Sequence, residues 1–400
     1  MKKLLTTILS LGVAASAALA GDLSLTATKV SDPLGNINAD SALWSKAKFA
    51  TVALYPQTAI EFNDKEAIEA NKGNKGKKAQ VAAVHNGKEI AVLVKWADGS
   101  KNVQGIKCTD TYSDGFALQF AGTTKKAQPL PYVGMGSEGR PVVVHLQKAT
   151  EKVYEPNGNK DVSTQINRQQ TGVFGKELSD YDAKVASLAN TDFERVFVGE
   201  GFRSLTEIKD KSVKSNASMK YDNKGWSGTL VRSLKDDYMS ASGTVPVTIA
   251  VWDGAKHGRN GLKLLSSWVA INLEGEKVNS AVVAEATETS KGDAAKGKLA
   301  AETNGCAGCH QMDKSVPAGT MAPSLVNVGG YSTAAYLRES ILKPSAVVVP
   351  GYNRNAHANT PWYNIEKGKR VSTMTDYSFL DKATVDDIVA YLKTLKAEVE

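Results

Sequence analysis

The sequence has few cysteines, few aromatic residues and, beyond its first 20 residues, no long hydrophobic run. Three cysteines among 400 residues could form one disulfide and leave one thiol over. Because no run after residue 20 is apolar enough to span a bilayer, we expect a soluble mature protein. The formal net charge is only +7, and no basic tract with interleaved aromatic residues occurs, which argues against a nucleic-acid partner.

The first 20 residues have the pattern of a secretory signal peptide. Two lysines follow Met1, an apolar stretch covers Leu4–Leu19, and Ala20 ends an A-x-A pattern. At about 16 residues, the apolar stretch is shorter than the ~20 residues that a membrane-spanning helix needs. We therefore predict cleavage after Ala20 and export to the periplasm. The mildly positive charge of the mature chain would suit docking onto an acidic partner.

Residues 21–278 have the pattern of an antiparallel β-sandwich. Short β-rich runs alternate with turn clusters, as is typical of an all-β domain. The runs are Ile90–Trp96, Phe116–Phe120, Pro141–Gln147, Thr229–Leu234, Val245–Trp252 and Leu265–Leu273. Residues 279–292 contain no aromatic residue and no clear apolar face, which predicts a linker.

Residues 293–400 change to a helical pattern. Helices are predicted over Ala294–Thr303, Thr333–Leu342 and Val385–Ala397. In the last of these, apolar residues recur at i, i+4 and i+7, and Thr384 is the predicted N-cap. The predicted fold class is therefore multidomain, with an all-β antiparallel sandwich followed by an all-α domain.

The pentapeptide Cys306–His310 reads C-A-G-C-H and carries the strongest chemical signal in the chain. Two thiols three positions apart on a helical turn can both reach the vinyl groups on one porphyrin edge, and the adjacent histidine then lies below the iron. A redox C-x-x-C pair would need a thioredoxin-like βαβ pattern, and a zinc site would need a second ligand pair. The sequence has neither, so it predicts one covalent haem c on Cys306 and Cys309, with His310 as proximal ligand.

The sixth ligand of this iron must come from another part of the chain. Met312 lies too close to His310 to reach the other haem face, which leaves Met321, Met374 and His357. Met321 could equally belong to the core, and Met374 lies in a polar loop before the last predicted helix. Spacing alone leaves these candidates open.

Residues 291–398 resemble the class I cytochrome c family. A helix, the C-x-x-C-H motif, the segment Pro323–Leu325, a middle helix, a methionine loop and an amphipathic last helix follow in the family's order. The resemblance implies that Met374 is the distal ligand. It also implies that the ring N–H of His310 donates to the carbonyl of Pro323, which would orient the ligand. One departure is Thr375, because the family often has proline after the methionine.

A second resemblance concerns the predicted β-sandwich. It is carried by four strings, Lys95–Asp98, Asp114–Phe120, Trp252–Gly254 and Arg259–Lys263. Together they resemble the haem-binding γ subunit of type II DMSO-reductase-like molybdoenzymes, the ethylbenzene dehydrogenase type, across residues 35–275.

This second resemblance implies a haem b held between Met135 and Lys263. Glycines flank Met135, which would let a haem approach the backbone, and a buried lysine can lose its proton and ligate iron. His145 stands where the family usually has tryptophan. His145, His85 and His257 are therefore alternative ligands.

The two resemblances imply a periplasmic dihaem electron-transfer protein that does no substrate chemistry itself. It would relay electrons between the iron–sulfur or catalytic subunits of a molybdoenzyme and a soluble or membrane redox partner, through haem b and haem c. The alternative is a mono-haem cytochrome c fused to a β-sandwich that binds a carbohydrate or a protein. A third hypothesis is an enzyme with a five-coordinate haem c, which a six-coordinate iron would exclude.

Overall fold

The computed structural model describes residues 22–58, 65–103, 112–124, 128–149, 194–209, 213, 215–317 and 319–400. The predicted signal peptide and Cys108 lie outside the described residues. In the part of the chain that is described, no helix is long and apolar enough to cross a membrane.

Thirteen described strands form one connected β-structure on the N-terminal side of the chain. They are β1 Ser24–Lys29, β2 Ala50–Pro56, β3 Lys77–His85, β4 Glu89–Ala97, β5 Gly115–Ala121, β6 Val142–Lys148, β7 Glu194–Gly199, β8 Thr206–Glu207, β9 Ser215–Tyr221, β10 Gly225–Ser233, β11 Thr244–Trp252, β12 Leu264–Leu265 and β13 Val269–Leu273. Each of the six predicted runs overlaps a strand, and the run Leu265–Leu273 is divided between β12 and β13.

The strands fold into two facing layers in the order β8-β7-β6-β5-β11-β12-β2-β3-β4-β10-β9, with β13 beside β11 and β1 joining β13 to β3. Neighbours are antiparallel except at β1, which runs parallel to both of its partners. Alternate residues of β4 and β11 point into the space between the layers, as the two-residue period of a strand requires. There Trp96 of β4 meets Phe116 of β5, with ring centroids 6.0 Å apart. This confirms the predicted sandwich.

The described helices lie mainly after the sandwich. They are α1 Lys65–Ala70, α2 Ser280–Thr287, α3 Ala294–Thr303, α4 Cys306–Cys309, α5 Val328–Tyr331, α6 Ala334–Leu342 and α7 Lys382–Thr394. A hairpin of β14 Tyr363–Glu366 and β15 Lys369–Ser372 stands between α6 and α7, so the second region is helical but not all-α. The bounds of α3 match the prediction, and α6 begins one residue later than predicted, after Thr333 as N-cap.

The structure differs from the sequence-based prediction at two places. The N-cap of α7 is Asp381, which accepts a hydrogen bond from the backbone N–H of Thr384 at 3.0 Å, so the helix starts earlier than predicted. The segment predicted as a linker contains α2, which Asn279 caps. Ala286 of α2 is buried against Trp268 and Ala270 of the sandwich, a contact that the weak apolar periodicity of the segment did not indicate. The division of the chain into domains at these positions stays a prediction.

Helices α5, α6 and α7 pack against the outer face of the layer that contains β5 and β11. Tyr132 stacks on Tyr336 of α6, with ring centroids 5.0 Å apart, and Arg140 donates to both carboxylate oxygens of Glu339 at 2.6 and 2.7 Å. The last residues of the chain pair with the start of β3, where the N–H of Gly76 donates to the carbonyl of Glu398 at 2.7 Å. These contacts hold the helical region against the sandwich.

Candidate haem sites

The C-x-x-C-H motif lies on a short helix at the surface of the helical region. Gly305 has a φ of 73°, a left-handed conformation that turns the chain from α3 directly into α4. Cys306 is half-buried and Cys309 is exposed, and neither forms a disulfide. Both thiols are therefore available on one helical turn for thioether bonds to a haem.

His310 is oriented by the hydrogen bond that the cytochrome resemblance implies. Its Nδ1 lies 2.8 Å from the carbonyl oxygen of Pro323. Because Nδ1 donates in this bond, Nε2 is unprotonated and can ligate iron. Burial lowers the pKa of His310, which also favours the neutral ring. The N–H of Leu325 donates to the carbonyl of Gln311 at 2.8 Å and keeps the two segments together.

The loop of Met374 lies next to this motif. The hydroxyl of Tyr377, three residues after Met374, donates to the carbonyl of Asn304 at 2.9 Å. On the other side of the loop, the N–H of Thr373 donates to the carbonyl of Trp362 at 3.1 Å. The indole N–H of Trp362 in turn donates to the carbonyl of Thr320 at 2.8 Å, close to Pro323.

The other candidates for the sixth ligand lie in less suitable surroundings. Met321 is 54% exposed, and Met312 packs against the core formed by α5, α6 and α7. His357 is exposed, and its Nδ1 accepts a hydrogen bond from the N–H of Asn359 at 3.2 Å. Contacts on both sides of Met374 favour it, and its role as distal ligand stays a prediction.

The cysteine pair, the oriented ring of His310 and the loop of Met374 beside Asn304 together fit a covalently bound haem c.

A cavity of about 380 Å³ lies at the end of the sandwich where β11 ends and β12 begins. Trp96, Trp252 and Lys263 line it from the sandwich, and Gln311 and Lys314 line it from the segment that follows the haem-attachment motif. This volume is within the range of small-molecule sites. The cavity therefore adjoins both regions of the chain.

Lys263 has the properties of a possible iron ligand. Its Nζ lies 5.6 Å from the ring centroid of Trp252 and donates to the carbonyl of Asn260 at 3.3 Å. The surrounding protein lowers the pKa of Lys263 to about 7 by desolvating the ammonium group. Near neutral pH, Lys263 is therefore a neutral amine in a large fraction of the molecules, and this is the form that can bind a metal.

Met135 lies at the opposite end of the same layer. It adopts a φ of 75°, and its carbonyl accepts a hydrogen bond from the N–H of Gly201 at 2.6 Å, beside the end of β7. Pairing in the layer sets Ala121 opposite Val142 at this end and Gly115 opposite Trp252 at the end near Lys263. β5 between these ends extends over roughly 20 Å at about 3.4 Å per residue.

The structure therefore does not bring Met135 and Lys263 together, and Met135 is not among the residues that line the cavity. Two axial ligands must lie on either side of one iron atom. The residues present fit a haem b only in part. Lys263 lies at the cavity wall, where it could ligate iron, whereas Met135 would have to move with its loop to reach the same iron.

The alternative histidine ligands are engaged elsewhere. His145 is fully buried between the layers, where its Nε2 lies 3.0 Å from the guanidinium of Arg232 on β10. His85 is also buried, and its Nε2 contacts the carbonyl of Glu274 at 3.1 Å. His257 sits in a left-handed turn, with its ring edge against Tyr112. None of the three lines the cavity.

Other residues around the cavity have no role predicted from the sequence. Trp96 and Trp252 belong to the strings that carry the family resemblance, but no function was predicted for them. Gln311 was missed because it belongs to the helical region and reaches the cavity only through the packing of that region on the sandwich. The signal that could have found it was its position directly after His310.

The fold and the haem-attachment site define a haem-containing electron-transfer protein, in which a cytochrome c domain follows a β-sandwich. Comparison with protein families agrees. The family model described as ethylbenzene dehydrogenase matches residues 41–263, more than half of the chain, and the cytochrome c model matches residues 294–396. The chain belongs to the ethylbenzene dehydrogenase family and carries a cytochrome c domain.

Similar solved structures include two carbohydrate-binding proteins. A family 9 carbohydrate-binding module from Caldicellulosiruptor kristjanssonii, in complex with cellotriose, is 8% identical with a TM-score of 0.31, covering 65% of this chain and 97% of the module. A putative carbohydrate-binding protein from Bacteroides uniformis is 10% identical with a TM-score of 0.28, covering 63% of this chain and 90% of its own. No curated protein matches the chain.

Proposed function

We propose that this protein is an exported dihaem electron-transfer subunit that relays electrons between a molybdoenzyme and a second redox partner. The observation that carries the proposal is the Cys306–His310 motif, with the ring of His310 fixed by Pro323 at 2.8 Å. A haem iron with two protein ligands exchanges single electrons and has no open position for substrate. Cys306 and Cys309 would hold this haem, His310 and Met374 would ligate it, and the chain would do no substrate chemistry.

The second haem of the relay would be a haem b in the β-sandwich, with Lys263 as one ligand. Family membership supports this assignment, as does the lowered pKa of Lys263 at the wall of the cavity. The family resemblance gives Met135 as the second ligand, and the loop that carries Met135 would have to move for it to reach the same iron as Lys263.

Direct transfer between the two haem sites is supported by their closeness to one cavity. Both Lys263 and Gln311, the residue after His310, line this cavity. The contacts of α2, the Arg140–Glu339 pair and the chain end at Gly76 hold the cytochrome region against the sandwich. Electrons would therefore pass within a docked arrangement of the two regions.

The partners and the location belong to the same proposal. An N-terminal segment with a signal-peptide pattern and a thioether-linked haem both suit the periplasm. Iron–sulfur or catalytic subunits of a molybdoenzyme would exchange electrons with the haem b side. Purification of the native complex from periplasm, followed by molybdenum analysis, should recover such subunits, and recovery of the chain from cytoplasm alone would overturn the location.

Carbon monoxide distinguishes electron transfer from haem enzymology. We expect the reduced, purified protein to keep its spectrum under CO, because His310 and Met374 would both ligate the iron and leave no position for CO. We also expect reversible one-electron titration of the haem without peroxidase activity. A rapid CO-induced shift in haem c, together with peroxide turnover, would contradict the proposal and favour the five-coordinate enzyme.

A further inference from the structure

Three aspartates from the strings that carry the family resemblance meet at one point of the sandwich. Asp98 follows β4, Asp114 precedes β5 and Asp253 follows β11. Each aspartate contributes one carboxylate oxygen to the cluster, and these three oxygens lie within 4.8 Å of one another. Asp98 is 3% exposed, Asp114 is fully buried and Asp253 is half-buried. Nothing in electron transfer requires three carboxylates at this place.

Asp98 has a buried oxygen that no group in the described structure satisfies. Its Oδ1 accepts a hydrogen bond from the N–H of Ser100 at 3.1 Å, whereas its Oδ2 has no partner among the described residues. Oδ1 of Asp253 is also buried, and no described residue pairs with it. An unpaired carboxylate oxygen away from water is costly unless a cation or a donor compensates it.

Asp114 is held rigidly beside them. It accepts hydrogen bonds from the backbone N–H groups of Gly254 at 2.7 Å and Asn102 at 2.8 Å, and from the indole N–H of Trp226 at 3.0 Å. Its position is therefore fixed before any ligand arrives, as a metal site needs.

The basic groups nearby compensate the cluster only from outside. Nζ of Lys77 lies 3.7 Å from Oδ2 of Asp253 and therefore leaves Oδ1, the buried oxygen named above, without a partner among the described residues. Lys148 donates to the carbonyl of Ser113 at 3.3 Å and lies over Trp252. Among the described residues, no lysine or arginine forms an ion pair with Asp98 or Asp114.

The pKa values agree with negative charge that the nearby lysines offset only in part. Burial raises the pKa of Asp98, repulsion from Asp253 raises it further, and the ammonium group of Lys77 lowers it by less than these two effects raise it. Burial likewise raises the pKa of Asp114 to about 6. A bound cation would reverse both effects.

We propose that Asp98, Asp114 and Asp253 bind a hard divalent cation of the calcium type. Ca²⁺ takes oxygen ligands at about 2.3–2.6 Å, so two ligands on opposite sides of one ion stand roughly 5 Å apart, in keeping with the spacing of the cluster. Asp98 and Asp253 also line the cavity that Lys263 lines, so an ion could reach the cluster from this cavity.

The ion would join both layers of the sandwich. β4 belongs to one layer, and β5 and β11 belong to the other, so one ion would fix their ends at the rim of the cavity. Its loss would loosen the rim without removing any haem ligand.

The test uses the full-length holoprotein, stripped with EGTA and titrated with CaCl₂ by calorimetry. We expect one Ca²⁺ per chain and a rise in the melting temperature on saturation. Asp98→Asn should weaken Ca²⁺ binding at least tenfold, whereas Asp40→Asn, at an exposed aspartate paired with Lys220, should bind as the unaltered protein does. Absence of binding heat and of any Ca²⁺-dependent melting shift would overturn the proposal.

Melting in EGTA separates loss of the site from loss of the fold. Because Asp98→Asn removes like-charge repulsion, this variant should melt no lower than the unaltered protein in EGTA, and only the unaltered protein and Asp40→Asn should gain stability in Ca²⁺. An equal Ca²⁺-dependent gain in Asp98→Asn would overturn the assignment.

Discussion

The two proposed haem sites differ in how their residues are brought together. In the cytochrome region, Cys306, Cys309 and His310 share one helical turn and the residue after it, and one hydrogen bond to Pro323 orients the histidine. In the sandwich, Met135 and Lys263 stand at opposite ends of a layer. A covalent site built on local sequence is preorganised by its own helix, whereas a site built from distant loops depends on packing and on the ligand itself.

The largest effect is expected at the covalent site. Replacing Cys306 and Cys309 together by serine should abolish covalent haem, because no thioether can form. Haem staining of a denaturing gel measures this directly, and Cys108→Ser, which removes the third thiol of the chain, should stain fully. Covalent haem in the double variant would refute the attachment site.

The sandwich site should respond to one lysine. Lys263→Ala should remove haem b and leave haem c attached, because it deletes the amine at the cavity wall. Lys256→Ala, which changes another lysine lining the same cavity, is the matched control and should keep both haems. Pyridine haemochrome spectra give both contents, and full retention of haem b in Lys263→Ala would refute the ligand.

Replacing Met374 tests the predicted distal ligand of haem c. Met374→Ala should remove the near-infrared methionine–iron band and lower the haem c potential by on the order of 100 mV or more, because a thioether ligand raises the potential. Met321→Ala, at an exposed methionine, should leave band and potential unchanged. Loss of the band in Met321→Ala and its retention in Met374→Ala would identify Met321 as the ligand.

The smallest effect concerns His145, the alternative ligand in the sandwich. His145→Gln should keep haem b, because the ring of His145 is engaged by Arg232 between the layers. Burial lowers the pKa of His145 to about 4, so between pH 6.5 and 4 the unfolded chain binds a proton that the folded chain does not.

The free energy of unfolding should therefore fall as the pH drops through this window. In His145→Gln, the free energy of unfolding should fall by roughly 1–3 kcal/mol less over this window than in the unaltered protein, as measured by denaturant unfolding across pH. An unchanged pH slope would contradict the buried neutral histidine, and loss of haem b would make His145 a ligand.

Local signals predicted the cytochrome region well and the sandwich site poorly. The motif at Cys306–His310 and the bounds of α3 follow from neighbouring residues, as does the bond to Pro323 once the family order is seen. The sandwich also followed from alternating β runs. The separation of Met135 from Lys263 depends on strand register, which short strings do not contain.

The sequence also did not predict the contacts between segments that are distant along the chain. The stack of Tyr132 on Tyr336 joins residues far apart in the chain. The helix α2 was missed because its capping residue Asn279 and its packing on Trp268 matter more than its weak periodicity. The aspartate cluster appears only when the ends of β4, β5 and β11 are placed side by side.

The most direct test of the two-haem account is the haem content of the full-length protein, purified from an exporting host that attaches haem c. A pyridine haemochrome spectrum should give one c-type and one b-type haem per chain. A c-type signal alone, in protein that never experienced detergent or low pH, would contradict the relay and leave a mono-haem cytochrome joined to a binding module.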